Sequence, residues 1–168
     1  WETILTKLDD KEWLVGNVME HGRRGSSFVV NDCGATIEEF DLEKFEKDSQ
    51  DLAKDEITQG FGFPLFCKKE LWERIGGYSE ELDPWGSNAD SFLQYKLMLA
   101  GVPMVQYHGC LWYHFQEQSG TFTKPEAQPY WNKNTNYFPQ YFGFGRVRAP
   151  QIWSCEFIIP KDKLILKD

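Results

Sequence analysis

No apolar run in this chain approaches the about 18 residues that a membrane-spanning helix requires, and no signal-peptide pattern opens it. Basic residues are outnumbered: 18 Lys and Arg face 26 Asp and Glu, for a formal net charge of −8. A protein that grips phosphate backbones needs the opposite balance, so no nucleic-acid partner is expected. Cysteine is sparse. Cys33, Cys67, Cys110 and Cys155 stand 34, 43 and 45 residues apart, which is neither a dense disulfide framework nor a paired zinc pattern. Reduced, mostly buried thiols in a cytoplasmic protein are the expectation. There is no internal repeat.

Aromatic side chains are abundant: 7 Trp, 7 Tyr and 13 Phe make up 16% of 168 residues. Most are expected in a ring-rich core. The same residues also suit a carbohydrate cleft, because a pyranose presents C–H faces that stack on an aromatic ring. The length suits one domain or a large piece of one, and folding at this size removes about 70% of the unfolded chain's surface from water. Trp1 is not an initiator Met, so the chain is read as a fragment or a processed product.

Along the chain, Trp1, Ile4, Leu5 and Leu8 recur at helical spacing and stop at Asp9-Asp10. A stretch with Gly16, Gly22 and Gly25 follows, with a brief strand at 27–30. Residues 38–56 carry nine acidic and three basic side chains around Phe40, Leu42, Phe45 and Leu52, the pattern of a solvated amphipathic helix or loop. Residues 57–67 read as extended, with Gly60 and Gly62 admitting close backbone approach. Helices are predicted at 68–75, stopped by Gly76-Gly77, and at 89–100, stopped by Gly101. Strands are predicted at 102–108 and 111–114, a mobile loop at 116–129, and a further strand at 155–159.

Chemistry concentrates in residues 71–101. A helix ends in Ile75-Gly76-Gly77-Tyr78-Ser79-Glu80, and a loop leads through Trp85-Gly86 to Asp90 at a helix start. That helix closes at Ala100-Gly101. An Asp in a first turn complements the helix dipole whatever else it does. Downstream come Tyr113-His114, then Gln118-Ser119-Gly120, and then Asn134-Thr135-Asn136-Tyr137-Phe138 running to Tyr141-Phe142-Gly143. In this order the residues resemble the acceptor half of GT-A glycosyltransferases of the inverting family 2 type. Those enzymes show Ile-Gly-Gly-Tyr/Phe-Asp-Glu, then Gly-x-Glu-Asp-x-Asp-Leu-x-x-Arg, a closing Ala-Gly, a later His, and Asn-x-x-Tyr-Phe-x-x-Lys-Trp-Gly. Counted back from Ala100-Gly101, Asp90 falls on the catalytic Asp, Leu93 on the Leu and Lys96 on the Arg. Ala89 and Phe92 stand where the family has Glu and Asp, and Tyr141 and Phe142 where it has Lys and Trp.

The resemblance implies an α/β fold, part of a GT-A nucleotide-sugar transferase fold with a mixed sheet flanked by helices. It implies transfer of a sugar from a nucleotide-sugar donor to a hydroxyl of a glycan or lipid-linked acceptor, with Asp90 as general base. Trp85, Gly76, Gly77 and Gly62 are assigned to the acceptor, and His114 to a Mn²⁺ or Mg²⁺ ion on the donor diphosphate. The family's Asp-x-Asp unit, which binds that ion and the donor, has no counterpart among Asp9-Asp10 and Asp32, so the 168 residues read as the back half of the enzyme, inactive alone. A second class of function is an inactive glycan-binding or scaffold module, favoured by Ala89 and Phe92. A third is a small metal-stabilised domain holding an ion on His108, Cys110 and His114 with Cys67 or Cys155.

Overall fold

A computed structural model describes residues 2–9, 11–22, 29–61, 64–82, 88–115 and 124–142. Gly62, Trp85, Cys155, the predicted strand at 155–159 and most of the predicted loop lie outside them. The chain divides into two compact units, Trp1–Lys68 with Met104–Gln118, and Lys69–Pro103 with Ser119–Asp168. Every described strand belongs to the first unit, and every described element of the second is a helix.

The first unit is built on β1 (Trp13–Glu20), whose eight residues are all buried. It pairs in parallel with β2 (Val29–Val30) and with β5 (Val105–Tyr113), and its first residues pair antiparallel with β4 (Leu65–Cys67). β3 (Ile57–Gln59) adds antiparallel to the far side of β5. The helices α1 (Glu2–Leu8) and α2 (Leu42–Leu52) pack on this mixed sheet. The chain is therefore α/β, a mixed sheet flanked by helices. Ile4 and Leu8 of α1 close a core with Leu14 and Tyr107. Asp41 caps α2 by accepting from the Lys44 amide at 2.9 Å.

β1 is the largest departure from the sequence reading, which left 13–20 without an element. Trp13, Leu14, Val15, Val18 and Met19 make the near-continuous apolar run of a strand covered on both faces. Gly16 and Asn17 interrupt it, and both interruptions serve the sheet. A Cβ on Gly16 would meet the Trp112 ring at 2.2 Å. Asn17 Oδ1 accepts from the Val18 amide at 2.9 Å and from Gln106 Nε2 at 3.3 Å. The two short strands predicted at 102–108 and 111–114 are one strand, with its pairing register shifted opposite Val15 and Asn17.

In the second unit, α3 (Lys69–Ile75) and α4 (Ala89–Leu99) form where the periodicity placed them. Both end in Schellman motifs. Gly76 (φ 68°) donates to the Glu73 carbonyl at 3.2 Å, and Gly77 to the Trp72 carbonyl at 3.0 Å. Gly101 (φ 70°) and Val102 do the same at the end of α4, to Met98 and Leu97, each at 3.0 Å. The loop predicted to run to 129 ends earlier. Pro125–Ala127 form a 3-10 turn, and α5 (Gln128–Phe142) begins directly after it. Phe92 of α4 and Phe138 and Phe142 of α5 make the core of this unit, joined by Tyr95. Among the described residues no helix is long and apolar enough to cross a membrane.

The two glycines after α3 differ in room. A Cβ on Gly76 would have only Lys96 Nζ nearby, at 3.8 Å, whereas one on Gly77 would sit 2.8 Å from Trp72 Nε1. Gly76→Ala should cost about 1 kcal/mol for the left-handed conformation alone. Gly77→Ala carries the same cost plus displacement of the Trp72 ring, so its Tm should fall further. Thermal melts of the pair check this, and equal melts would remove the role given to Trp72.

Candidate functional site

Of the residues that carried the likeness, those of α3, α4 and α5 belong to the second unit. Gly76 and Gly77 are left-handed, which turns their carbonyls out of the helix pattern. Lys96, about two turns along α4 and 4% exposed, donates from Nζ to the Gly76 carbonyl at 3.2 Å and the Gly77 carbonyl at 2.8 Å. The ammonium thereby satisfies the C-terminal end of α3, where helix carbonyls carry partial negative charge. Its Nζ also lies 5.7 Å from the Phe92 ring centroid and 5.9 Å from that of Tyr141. Burial holds its pKa below the usual lysine range.

Beside this clamp opens a cavity of about 590 Å³, lined among others by Gly76, Tyr78, Glu81, Lys96, Tyr137 and Tyr141. Tyr137 donates its hydroxyl to the Glu81 carboxylate. Burial, and next the bond to Glu81, push the Tyr137 phenol up to about 12, while a hydrogen bond with Ser79 acts the other way. Unfolded tyrosine releases its proton near pH 10. Between about pH 10 and 12 the native state therefore holds more protons than the unfolded one, and stability falls as pH rises through that window. Below it the contribution is complete. Tyr137→Phe should flatten the decline of Tm across these values, and a slope equal to wild type would show that Tyr137 does not contribute.

Asp90 lies in the first turn of α4 and is half-buried. Its Oδ1 accepts from the Ser91 amide at 2.7 Å. Before it stands Asn88, buried and left-handed at φ 88°, with Nδ2 donating to Thr135 Oγ1 at 3.0 Å. A positive φ outside glycine is uncommon, and asparagine tolerates it best. Here it sets the direction from which the chain enters α4. Asp90 does not line the 590 Å³ cavity. The expected constellation is thus brought together in part: Gly76 reaches the cavity, Gly77 supports it through Lys96, and Asp90 sits at the other end of the Lys96 helix.

His114 follows β5 in the first unit. Its amide donates to the Met19 carbonyl at 2.9 Å, and its Nδ1 pairs with the carboxylate of Glu20, which is 1% exposed. A carboxylate on one imidazole nitrogen fixes the ring and is the usual second-layer partner of a metal-binding histidine. One donor does not hold an ion. Among the described residues no group of three His, Cys, Asp or Glu side chains is placed to bind a metal. His108 is occupied otherwise: Nδ1 meets Asn17 Nδ2 at 3.1 Å and Nε2 meets Thr58 Oγ1 at 2.7 Å. Both nitrogens serve the sheet, which turns the ring away from the ligand role in the third reading. Cys33, Cys67 and Cys110 are free thiols, and burial raises the pKa of each.

The sequence reading assigned no role to Tyr137, Tyr141, Glu81 or Glu20, and noted Lys96 only by its place in the motif. Tyr137 and Tyr141 had a signal, since residues four apart share a helix face. That signal requires knowing that 128–142 is a helix, and Pro129 and Pro139 obscured this. No protein-family model, curated protein or solved structure matches the chain.

Proposed function

We propose that this chain is the acceptor-side part of an inverting glycosyltransferase of GT-A type that moves a sugar from a nucleotide donor to a hydroxyl of a glycan or lipid-linked acceptor. One observation carries the reading. Asp90 opens the same helix whose Lys96 binds the Gly76 and Gly77 carbonyls, which ties the described motif residues of α4 to the end of α3. The mixed α/β sheet is compatible with it. In the proposed reaction Asp90 takes the proton of the acceptor hydroxyl as that oxygen attacks the anomeric carbon, and the bond to the nucleoside diphosphate breaks with inversion. The helix N-terminus holds the carboxylate in place while reducing its basicity. Bound Mn²⁺ or Mg²⁺ would stabilise the departing diphosphate. His114, held by Glu20, is the residue this chain would offer to it, the other ligands coming from elsewhere.

A second reading, the inactive glycan-binding or scaffold module, draws on Phe92. It replaces a family carboxylate, is 1% exposed, and stacks on Tyr137 at 5.4 Å, so this face of α4 is core. The test is nucleoside diphosphate release by the full-length gene product across common nucleotide sugars, with and without oligosaccharide acceptors. Acceptor-dependent release with inverted product stereochemistry is expected. Its absence with every donor would leave the binding module.

A further inference from the structure

We infer that the cavity between α3, α4 and α5 binds an uncharged saccharide, with Tyr78, Tyr137 and Tyr141 as stacking faces and Glu80 and Glu81 as hydroxyl acceptors. At about 590 Å³ it falls inside the range of small-ligand sites, roughly 300–1,000 Å³. Each tyrosine lines the cavity and is backed by another ring. Tyr137 and Tyr141 pack on Phe92 at 5.4 and 4.8 Å, and Tyr78 meets the Trp72 ring at 5.4 Å in a T-shaped contact. Rings held in this way offer contact area at little cost in conformational entropy.

The polar groups select among ligand classes. Glu73, Glu80 and Glu81 line the walls together with Arg74 and Lys96, and Lys96 donates to two backbone carbonyls. Three carboxylates against two cations leave the walls with one excess negative charge, which disfavours a phosphate or nucleotide. A lipid tail would take charged walls, Glu80 among them, out of water with only C–H groups to meet them, which is costly. No strand borders the cavity among the described residues, so an extended peptide finds no edge to pair with. A sugar meets both demands: C–H faces for the rings and hydroxyls for the carboxylates. Glu81 receives the Tyr137 hydroxyl and, as a carboxylate, has further lone pairs for a ligand. Tyr141 stands where the likeness has Lys, so this lining belongs to the present chain.

The inference shares the acceptor side of the proposed function without requiring Asp90 to act as a base. The experiment is an NMR titration of the full chain with cellotriose, maltotriose and tri-N-acetylchitotriose, each to about 10 mM, a weak-affinity ceiling for one saccharide subsite. UDP serves as the anionic comparator. At least one trisaccharide should give saturable shifts at Tyr78, Tyr137 and Tyr141 that UDP does not reverse. Tyr78→Ala, at a 44% exposed position, and Glu81→Gln should each weaken binding about threefold to tenfold with the fold intact. No saturable shift with any of the three sugars overturns the inference, as does binding that both cavity variants leave unchanged or that UDP displaces. Saccharide binding that survives loss of acceptor-dependent turnover by the full-length product would overturn the glycosyl-transfer reading alone.

Discussion

Asp90→Asn in the full-length gene product should lower turnover by about 10²–10⁴-fold, the usual contribution of a positioned general base. Asparagine keeps the side-chain size and an oxygen that can accept from the Ser91 amide at the 2.7 Å contact of the wild type, so α4 should start where it does now. What it loses is the capacity to take a proton. The effect should therefore fall on kcat, with donor KM nearly unchanged, because an interaction absent from the ground state affects only the transition state. Circular dichroism and melting should match wild type. Near-wild-type transfer would mean that the base lies elsewhere, and Asp90 would then be a helix-start residue complementing the dipole.

Lys96→Ala should destabilise the protein by about 3 kcal/mol, and Lys96→Met by about 2 kcal/mol. Lys96 is 4% exposed, and its ammonium supplies donors to the Gly76 and Gly77 carbonyls at 3.2 and 2.8 Å. Without it, the end of α3 loses two charge-assisted hydrogen bonds, and the rings of Phe92 and Tyr141 lose a cation. Methionine retains the stem volume, so it should recover the packing share and none of the bonding. Part of the loss is offset because a buried charge is also removed, which agrees with the lowered Lys96 pKa. At this chain length each kcal/mol is worth about 2–4 °C in Tm. A melt unchanged in Lys96→Ala would show that water replaces the ammonium at these carbonyls.

Local patterns were legible wherever one residue type has one dominant physical role. Gly76, Gly77 and Gly101 announced helix ends because only glycine enters the left-handed region without strain, and the apolar spacing placed α3 and α4 within a residue or two. The acidic stretch left helix and loop open, and the structure makes it helical over Leu42–Leu52 with Asp41 as the cap. Elements were missed where polar or helix-breaking residues sit inside them: Gly16 and Asn17 in β1, Pro129 and Pro139 in α5.

Those interruptions make sense only against neighbours distant in sequence. Gly16 is required by Trp112, and Asn17 is satisfied by Gln106 and His108, about 90 residues away. The sequence by itself determined the α/β class, the helix boundaries around 68–101, and Asp90 as the carboxylate at a helix start. Tertiary structure alone decided that Lys96 turns inward to cap α3, that Glu20 is the partner of His114, and that Tyr137 and Tyr141 wall a cavity with Glu81. The division follows from range. Propensity, periodicity and glycine conformation act within a few residues, whereas the partner of a buried charge or hydroxyl depends on which distant segment the packing brings alongside it.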